Sequence, residues 1–206
     1  MTARKISNCL QKMGDKEDAR FLQRFFKTGP GQYGEGDVFL GIRVPAVRKL
    51  AKEYRELPYE KVLPLLHSSF HEERLFALIF LVNAFAKADE PTQKKIYDLY
   101  LKNTRYINNW DLVDISAPHV VGVYLADQER APLYQLVRSP GLWERRIAMV
   151  ATLHFIRRGD FDDTLQLAGQ LLKDREDLMH KAVGWLLREA GKADLPRLRQ
   201  FLLRHG

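Results

Sequence analysis

Cysteine is nearly absent: Cys9 stands alone in 206 residues, so no intramolecular disulfide and no cysteine-built zinc site can form. That usage fits a reducing compartment, and we expect a cytoplasmic protein. Long apolar runs are missing as well. The longest, "LFALIFLVNAFA", is interrupted by Asn83 and falls short of the roughly 18–20 residues a membrane span needs. The leading "MTARKISNCLQKMGDKED" has no apolar core of signal-peptide length. The familiar catalytic signatures are also lacking. The six histidines show no HExxH spacing, there is no GxSxG, and Cys9, near a terminus expected to be mobile, has no identifiable activating partner. "KTGPGQYGEGDVFLGI" holds five of the 13 glycines but lacks the GxxxxGK[ST] order and follows no strand, so it reads as a surface loop rather than a phosphate loop. We expect no metal and no cofactor.

What the chain does have is positive charge and helical spacing. Lys and Arg number 33 against 26 Asp and Glu, a net charge of +7, which points towards nucleic acid, an anionic membrane or an acidic partner. Hydrophobic residues make up 46%, enough for a substantial core. No stretch alternates at period two. Apolar residues instead recur at steps of three and four in ten segments, from "DARFLQRFF" through "HEERLFALIFLVNAFA" to "EDLMHKAVGWLLREAG" and "DLPRLRQFLLRH". Pro45, Pro91 and Pro132 sit where first-turn prolines belong. The fold class is all-α.

A weak repeat runs through these helices. Aligning "RLFALIF", "NWDLVDI", "RRIAMVA" and "KAVGWLL" on Ala77, Val113, Ala148 and Gly184 gives steps of 36, 35 and 36 residues. Two helices per step of this length is the signature of an α-solenoid of HEAT-like repeats, which we expect to curve as a single domain (1–206) around a concave basic groove. Equivalent helices of such a stack line one wall. Asp114 and Trp185 follow the aligned position by one residue, and Arg146 and Trp110 precede it by two and three, so all four fall near one stripe.

Each residue on the stripe has a bland and a functional reading. Asp111, in the first turn after Asn108 and Asn109, suits the helix dipole, worth about 0.3–1 kcal/mol. Asp114 sits a turn further in, where that benefit has faded. It needs either an ion pair, for which Arg146 is one repeat away, or a cleft where positive charge develops. Tryptophans are ordinarily core residues, and Trp143 reads that way. Trp110 and Trp185 beside a carboxylate also suit an aromatic cleft for a cation. Arg43, Arg48, Lys49, Lys95, Arg105 and Arg145, with Lys181 and Arg188 later in the chain, would supply phosphate contacts along the same surface, as would Arg157 and Arg158.

"FLGIRVPAVRKLAKEY", "NNWDLVD", "LWERRIAM" and "KAVGWLLREAG", in this order and spacing, resemble the AlkD-type DNA alkylation repair glycosylases from about residue 20 to the C-terminus. The resemblance implies HEAT-like repeats and excision of positively charged N3- and N7-alkylated purines from double-stranded DNA. It implies Asp114 as the catalytic carboxylate, Trp110 and Trp185 as cleft tryptophans and Arg146 as the cleft arginine. Two positions depart from the family's pattern: Asn109 stands where an aromatic often precedes the motif tryptophan, and Arg145 replaces an uncharged residue. An alkylated purine is already a good leaving group, so a carboxylate that stabilises the oxocarbenium-like sugar suffices. In that scheme Arg146 grips a flanking phosphate and keeps the carboxylate ionised. No lysine is placed for Schiff-base chemistry, so a monofunctional hydrolase is expected, and because terminal helices can cap both ends of a short solenoid we expect a monomer. The alternative is a non-catalytic HEAT-repeat module that binds DNA or protein through the same groove.

Overall fold

The computed structural model describes residues 3–205. The helices are α1 (Ala3–Met13), α2 (Lys16–Phe25), α3 (Val44–Glu53), α4 (Leu63–Leu66), α5 (His71–Phe85), α6 (Glu90–Lys102) and α7 (Trp110–Asp114). A π-helical turn, Pro118–Gly122, leads into α8 (Val123–Leu125), and α9 (Ala131–Leu136), α10 (Leu142–Ala151), α11 (Leu153–Arg157), α12 (Asp162–Leu171), α13 (Asp177–Ala193) and α14 (Leu195–His205) follow. Among the described residues the sole β feature is an isolated bridge between Val38 and Phe70. The protein is all-α and built of helical repeats, as its spacing predicts. The chain forms two compact units, Met1–Ile96 with Arg105–Leu112, and Tyr97–Thr104 with Val113–Gly206.

In the first unit α5 is the centre, packed by α1, α3 and α4. A helix enclosed on all sides should be apolar all round, and Leu75 to Leu81 are indeed all buried. Its first turn breaks the rule. His71, Glu72, Glu73 and Arg74, a run of four ionisable residues, are each less than 5% exposed. Burial on this scale needs full pairing. Glu72 accepts from the backbone N–H groups of Leu40, Gly41 and Ile42 at 2.8, 2.8 and 3.0 Å, ending the glycine-rich loop on the helix. Glu73 accepts from the Ser7 hydroxyl at 2.6 Å. That bond and the complete burial of Ile6 and Leu10 dock α1 against the core, so the N-terminal helix is not the mobile terminus expected. Cys9 there is partly buried, 3.8 Å from the Tyr54 hydroxyl.

In the second unit α10 and α13 pack together, with α9, α11 and the π turn against α10 and with α12 and α14 against α13. Ion pairs cross from one repeat to the next. Arg146–Asp114, Arg145–Asp174, Arg130–Asp163 and Arg158–Asp127 lie 32, 29, 33 and 31 residues apart in sequence. That spacing is what nearest-neighbour stacking of helix pairs produces. Of the aligned small positions, Ala77, Val113 and Ala148 are fully buried, whereas Gly184 is exposed.

The π turn is fixed by contact. A Cβ on Gly122 would lie 2.3 Å from the Ala151 carbonyl oxygen and 2.9 Å from the His154 Cβ. Neither α10 nor α11 has a flexible atom there to give way. Gly122→Ala is therefore expected to destabilise the protein by about 1–3 kcal/mol through overpacking, read as a lower urea midpoint with an unchanged slope.

Candidate functional site

Trp110 begins α7, and the Asn109 side-chain oxygen accepts its backbone N–H at 2.9 Å. The indole stacks on Phe26 with centroids 5.2 Å apart and meets Phe25 edge-on at 6.2 Å. Phe25 in turn stacks with Phe21, and both remain exposed, at 54% and 47%. Trp110 itself is only partly buried. An aromatic surface with one face left open therefore runs along α2 to the start of α7 in the first unit.

Beneath it lies a buried ionic cluster. His71 Nδ1 is 2.8 Å from Asp37, and its Nε2 is 2.8 Å from Asp111. Two carboxylates accepting from one ring require both nitrogens to carry hydrogen, so the ring is an imidazolium. Arg74 donates to the other Asp37 oxygen at 2.6 Å, and the Asn109 amide donates to Asp37 at 3.2 Å. Two positive and two negative charges thus balance. Burial alone would lower the His71 pKa, but the charges and hydrogen bonds of Asp111, then of Asp37, outweigh it and raise it to about 9. Burial would likewise push Asp37 up, yet hydrogen bonding and charge from His71, followed by Arg74, hold it below the ordinary carboxylate range. The imidazolium face also stacks on Phe39 at 4.3 Å and tilts against Phe26 at 5.3 Å. Asp111 is a first-turn acid as expected, but its main contact is this histidine.

Asp114 ends α7 and belongs to the second unit. Its two oxygens accept from Nε and Nη2 of Arg146, at 3.0 and 2.9 Å, a two-pronged charge-assisted pair. Arg146 Nη1 donates to the Leu178 carbonyl on α13 at 2.7 Å. The arginine side chain is 6% exposed and the carboxylate 20%, so the carboxylate is the part that solvent reaches. Arg146 therefore fixes Asp114, its donors being engaged within the chain. Trp185 lies on α13 and is partly buried.

The predicted phosphate contacts fall into two groups. Arg48, Lys49 and Lys95 are exposed, as are Lys181 and Arg188 on α13, which pair at the surface with Asp177 at 2.9 Å and Glu189 at 3.7 Å. Arg43 is exposed but paired with Asp18, and Arg105 lies over the Tyr106 ring at 4.4 Å. Arg145 is different: its guanidinium binds Asp174 at 2.7 and 3.0 Å and the Ser139 and Pro140 carbonyls at 3.1 and 2.9 Å. Both departures from the expected motif thus have structural work, Asn109 in the His71 cluster and Arg145 between repeats. Among the described residues no group of His, Cys, Asp and Glu is placed to hold a metal. No helix there is long and apolar enough to cross a membrane.

The family model for DNA alkylation repair enzymes matches residues 6–206. The chain belongs to that family. A solved structure described as a predicted DNA alkylation repair enzyme from Enterococcus faecalis superposes with a TM-score of 0.70 at 18% identity, covering 93% of this chain and 90% of the other. At that identity the likeness shows the shared fold. Comparison with curated protein sequences returns no match. Membership of the DNA alkylation repair family makes DNA the expected partner and leaves the bond that is broken to be argued from the residues.

Asp37, His71 and Arg74 were not singled out by sequence reasoning. The available signal was a run of four ionisable residues directly before an all-apolar helix, where the usual solvated face would have been out of place. The cluster has a pH consequence. A folded-state pKa above the unfolded value of about 6.5 gives stability that is complete below pH 6.5 and is lost as pH rises through about 9. Unfolding free energy is expected to fall over that window by on the order of 3 kcal/mol. In His71→Gln this decline should vanish, and the variant should be less stable than wild type at neutral pH because Asp111 loses its cation and Asp37 keeps only Arg74.

Proposed function

We propose that this DNA alkylation repair enzyme is a monofunctional glycosylase that hydrolyses the N-glycosidic bond of N3- and N7-alkylated purines in duplex DNA. The observation that carries the reading is the Asp114–Arg146 pair. A basic DNA-repair protein holds a partly exposed carboxylate rigidly in place, with a nearly buried arginine bound to its inner side. For a surface that only binds phosphates, such a carboxylate is repulsive. For a glycosylase it is what the transition state needs, because positive charge develops on the sugar as the base departs.

The leaving group requires little help. N3- or N7-alkylation puts a formal positive charge on the purine, and cleavage returns it as a neutral base. Asp114 stabilises the oxocarbenium-like sugar and orients the water that adds to C1′. Its pairing with Arg146 keeps the carboxylate from reorienting as charge develops, so little reorganisation is left for the reaction itself. Trp110, one turn before Asp114 on α7, and Trp185 supply π faces to the cationic nucleotide. Arg48, Lys49, Lys95, Lys181 and Arg188, with Arg43 and Arg105, contact phosphates and give the sequence-independent affinity. Arg145 is left out of that set because Asp174 and two carbonyls hold it.

Gly184 supports the placement of the duplex. It lies in the interior of the 17-residue helix α13, where glycine is about 0.5–1 kcal/mol worse than alanine. Nothing lies within 4 Å of the Cβ that alanine would add. Folding has no use for a glycine here, and it is exposed between Lys181 and Arg188 on one helical face. Close approach of a phosphate backbone accounts for it.

Two experiments follow. Release of 7-methylguanine and 3-methyladenine from methylated duplex DNA is expected from wild type and to fall by about 10²–10³ in Asp114→Asn, with DNA affinity retained or increased. No release by folded wild type that still binds DNA would make this a binding module. Gly184→Ala is expected to raise stability by about 0.5–1 kcal/mol while weakening DNA binding. A stabilised variant with undiminished affinity would remove the duplex from this face of α13.

A further inference from the structure

The first unit carries a basic depression outside the residues assigned above. It has a volume of about 600 Å³ and is lined by Arg20, Gln23 and Arg24 of α2 and by Thr28, Gly29 and Gln32 of the glycine-rich loop. No acidic residue lines it, and neither arginine takes part in an ion pair among the described residues. In a chain whose other arginines are so often paired one repeat away, two neighbouring unpaired guanidiniums stand out. Arg20 and Arg24 are four apart, so they project from one face, about 6 Å apart along the axis. The helix dipole explains Arg24, which lies in the last turn of α2, but not Arg20, which lies in the middle.

The loop side of the depression is set in shape. The Gln32 side-chain oxygen accepts the Gly29 N–H at 2.9 Å, and the Gln32 backbone N–H donates back to the Gly29 carbonyl at 3.1 Å. Gly31, between them, has φ +72°, which an L side chain rarely adopts. The loop thus offers the Gln32 amide opposite two cations, while the Thr28 hydroxyl donates to the Gln23 carbonyl at 3.3 Å and ties the loop to α2. Further, α2 has no buried residue at all, although its sequence is strongly two-faced. Its adjacent face is the exposed Phe21–Phe25 pair, so basic and flat apolar groups lie side by side, which suits a nucleic-acid strand better than a protein or a small anion.

We propose that Arg20 and Arg24, with Gln32, bind a backbone phosphate of the DNA, making α2 and the glycine-rich loop a DNA-contacting element. This rests on the DNA-binding part of the proposed function. Two arginines acting on phosphate contribute to counterion release, not to base chemistry. The ligand chemistry is a phosphate oxyanion, and a free phosphate is the competing source.

The test compares wild type with Arg20→Gln/Arg24→Gln for affinity to an unmodified duplex over a range of salt concentrations, alongside melting temperature and calorimetric titration with inorganic phosphate. The double variant is expected to melt like wild type, since both side chains are exposed, and to show a log affinity–log salt slope shallower by about 1, for the one phosphate lost. Base release by folded wild type with a slope that the substitutions leave unchanged overturns the pocket and spares the glycosylase. Inorganic phosphate binding that the substitutions abolish, with the DNA slope unchanged, makes it a free-anion site and also overturns the proposal. A wild type that binds no duplex at all overturns the proposed function and the pocket together. An Asp114→Asn protein that has lost base release but keeps the wild-type slope, beside a shallower slope in the arginine variant, supports both.

Discussion

The first unit depends on one buried run of charge, His71 to Arg74, at the start of α5. Four ionisable side chains sit where a core helix would otherwise present apolar ones, and between them they reach α1, α7, the glycine-rich loop and residues 68–69. Glu72 gathers three backbone N–H groups of residues 40–42, Glu73 holds α1 through Ser7, and Arg74 takes the Ser68 and Ser69 carbonyls together with Asp37. His71 joins Asp37 of the glycine-rich loop to Asp111 of α7. Apolar packing could bring these segments together, but it would not fix their register. Hydrogen bonds with unique partners do so, and the loss of any one partner would leave an unpaired buried charge. The position of Trp110 therefore follows from that network: Asp111 is the next residue, Asn109 the previous one, and both side chains end in the same cluster.

The same logic shows why the sequence was legible in some places and not in others. Helix positions follow from local spacing, and α3, α5, α6 and α13 fall within two residues of the segments that the period marks out. The stripe residues Asp114 and Arg146 were readable as a one-repeat ion pair because the repeat sets their separation. The buried charges were not readable. A polar residue's fate is set by what faces it, and the partners of His71 lie 34 and 40 residues away: Asp37 on an irregular loop that carries no period, and Asp111 in the first turn of α7, where the helix dipole already accounts for an acid. The shortness of α7 was hidden for a related reason. "WDLVDISAPHVVG" spaces its apolar residues like one helix, but it resolves into five helical residues, a turn and a π segment whose glycine is pressed against α10. The exposure of Gly184, aligned with three buried small residues, shows that repeat register predicts the helix better than the face.

The +7 surplus does not say which cations are free: Arg74 and Arg146 are buried, Arg145 is held by Asp174 and two carbonyls, and Arg130 lies between Asp160 and Asp163 with its guanidinium over Phe155. Arginine suits this use because its planar fork matches a carboxylate in two contacts at once. The exposed Lys49, Lys95 and Lys181 do not have that geometry, and a lysine contacts phosphate as a point charge without fixing an orientation. The chain thus uses arginine both to stack repeats and to display charge, and only the structure separates the two.

That separation bears on how binding and chemistry are divided. A DNA-binding surface is fastest and most tolerant when its charges are exposed and mobile, because counterion release needs proximity and little geometry. A catalytic carboxylate needs the opposite, since its effect depends on being placed before charge develops. In the proposed reading Asp114 fills that need: its arginine is anchored on α13 through Leu178, so the repeat that carries the carboxylate and the repeat that carries Trp185 are joined at the carboxylate itself. An Arg146→Lys substitution would keep the charge and lose the two-pronged hold together with the Leu178 contact. Rigidity of the carboxylate, and not mere neutralisation of its charge, is what the pairing contributes, and on the proposed function it is how a stacking contact between repeats would support the reaction centre.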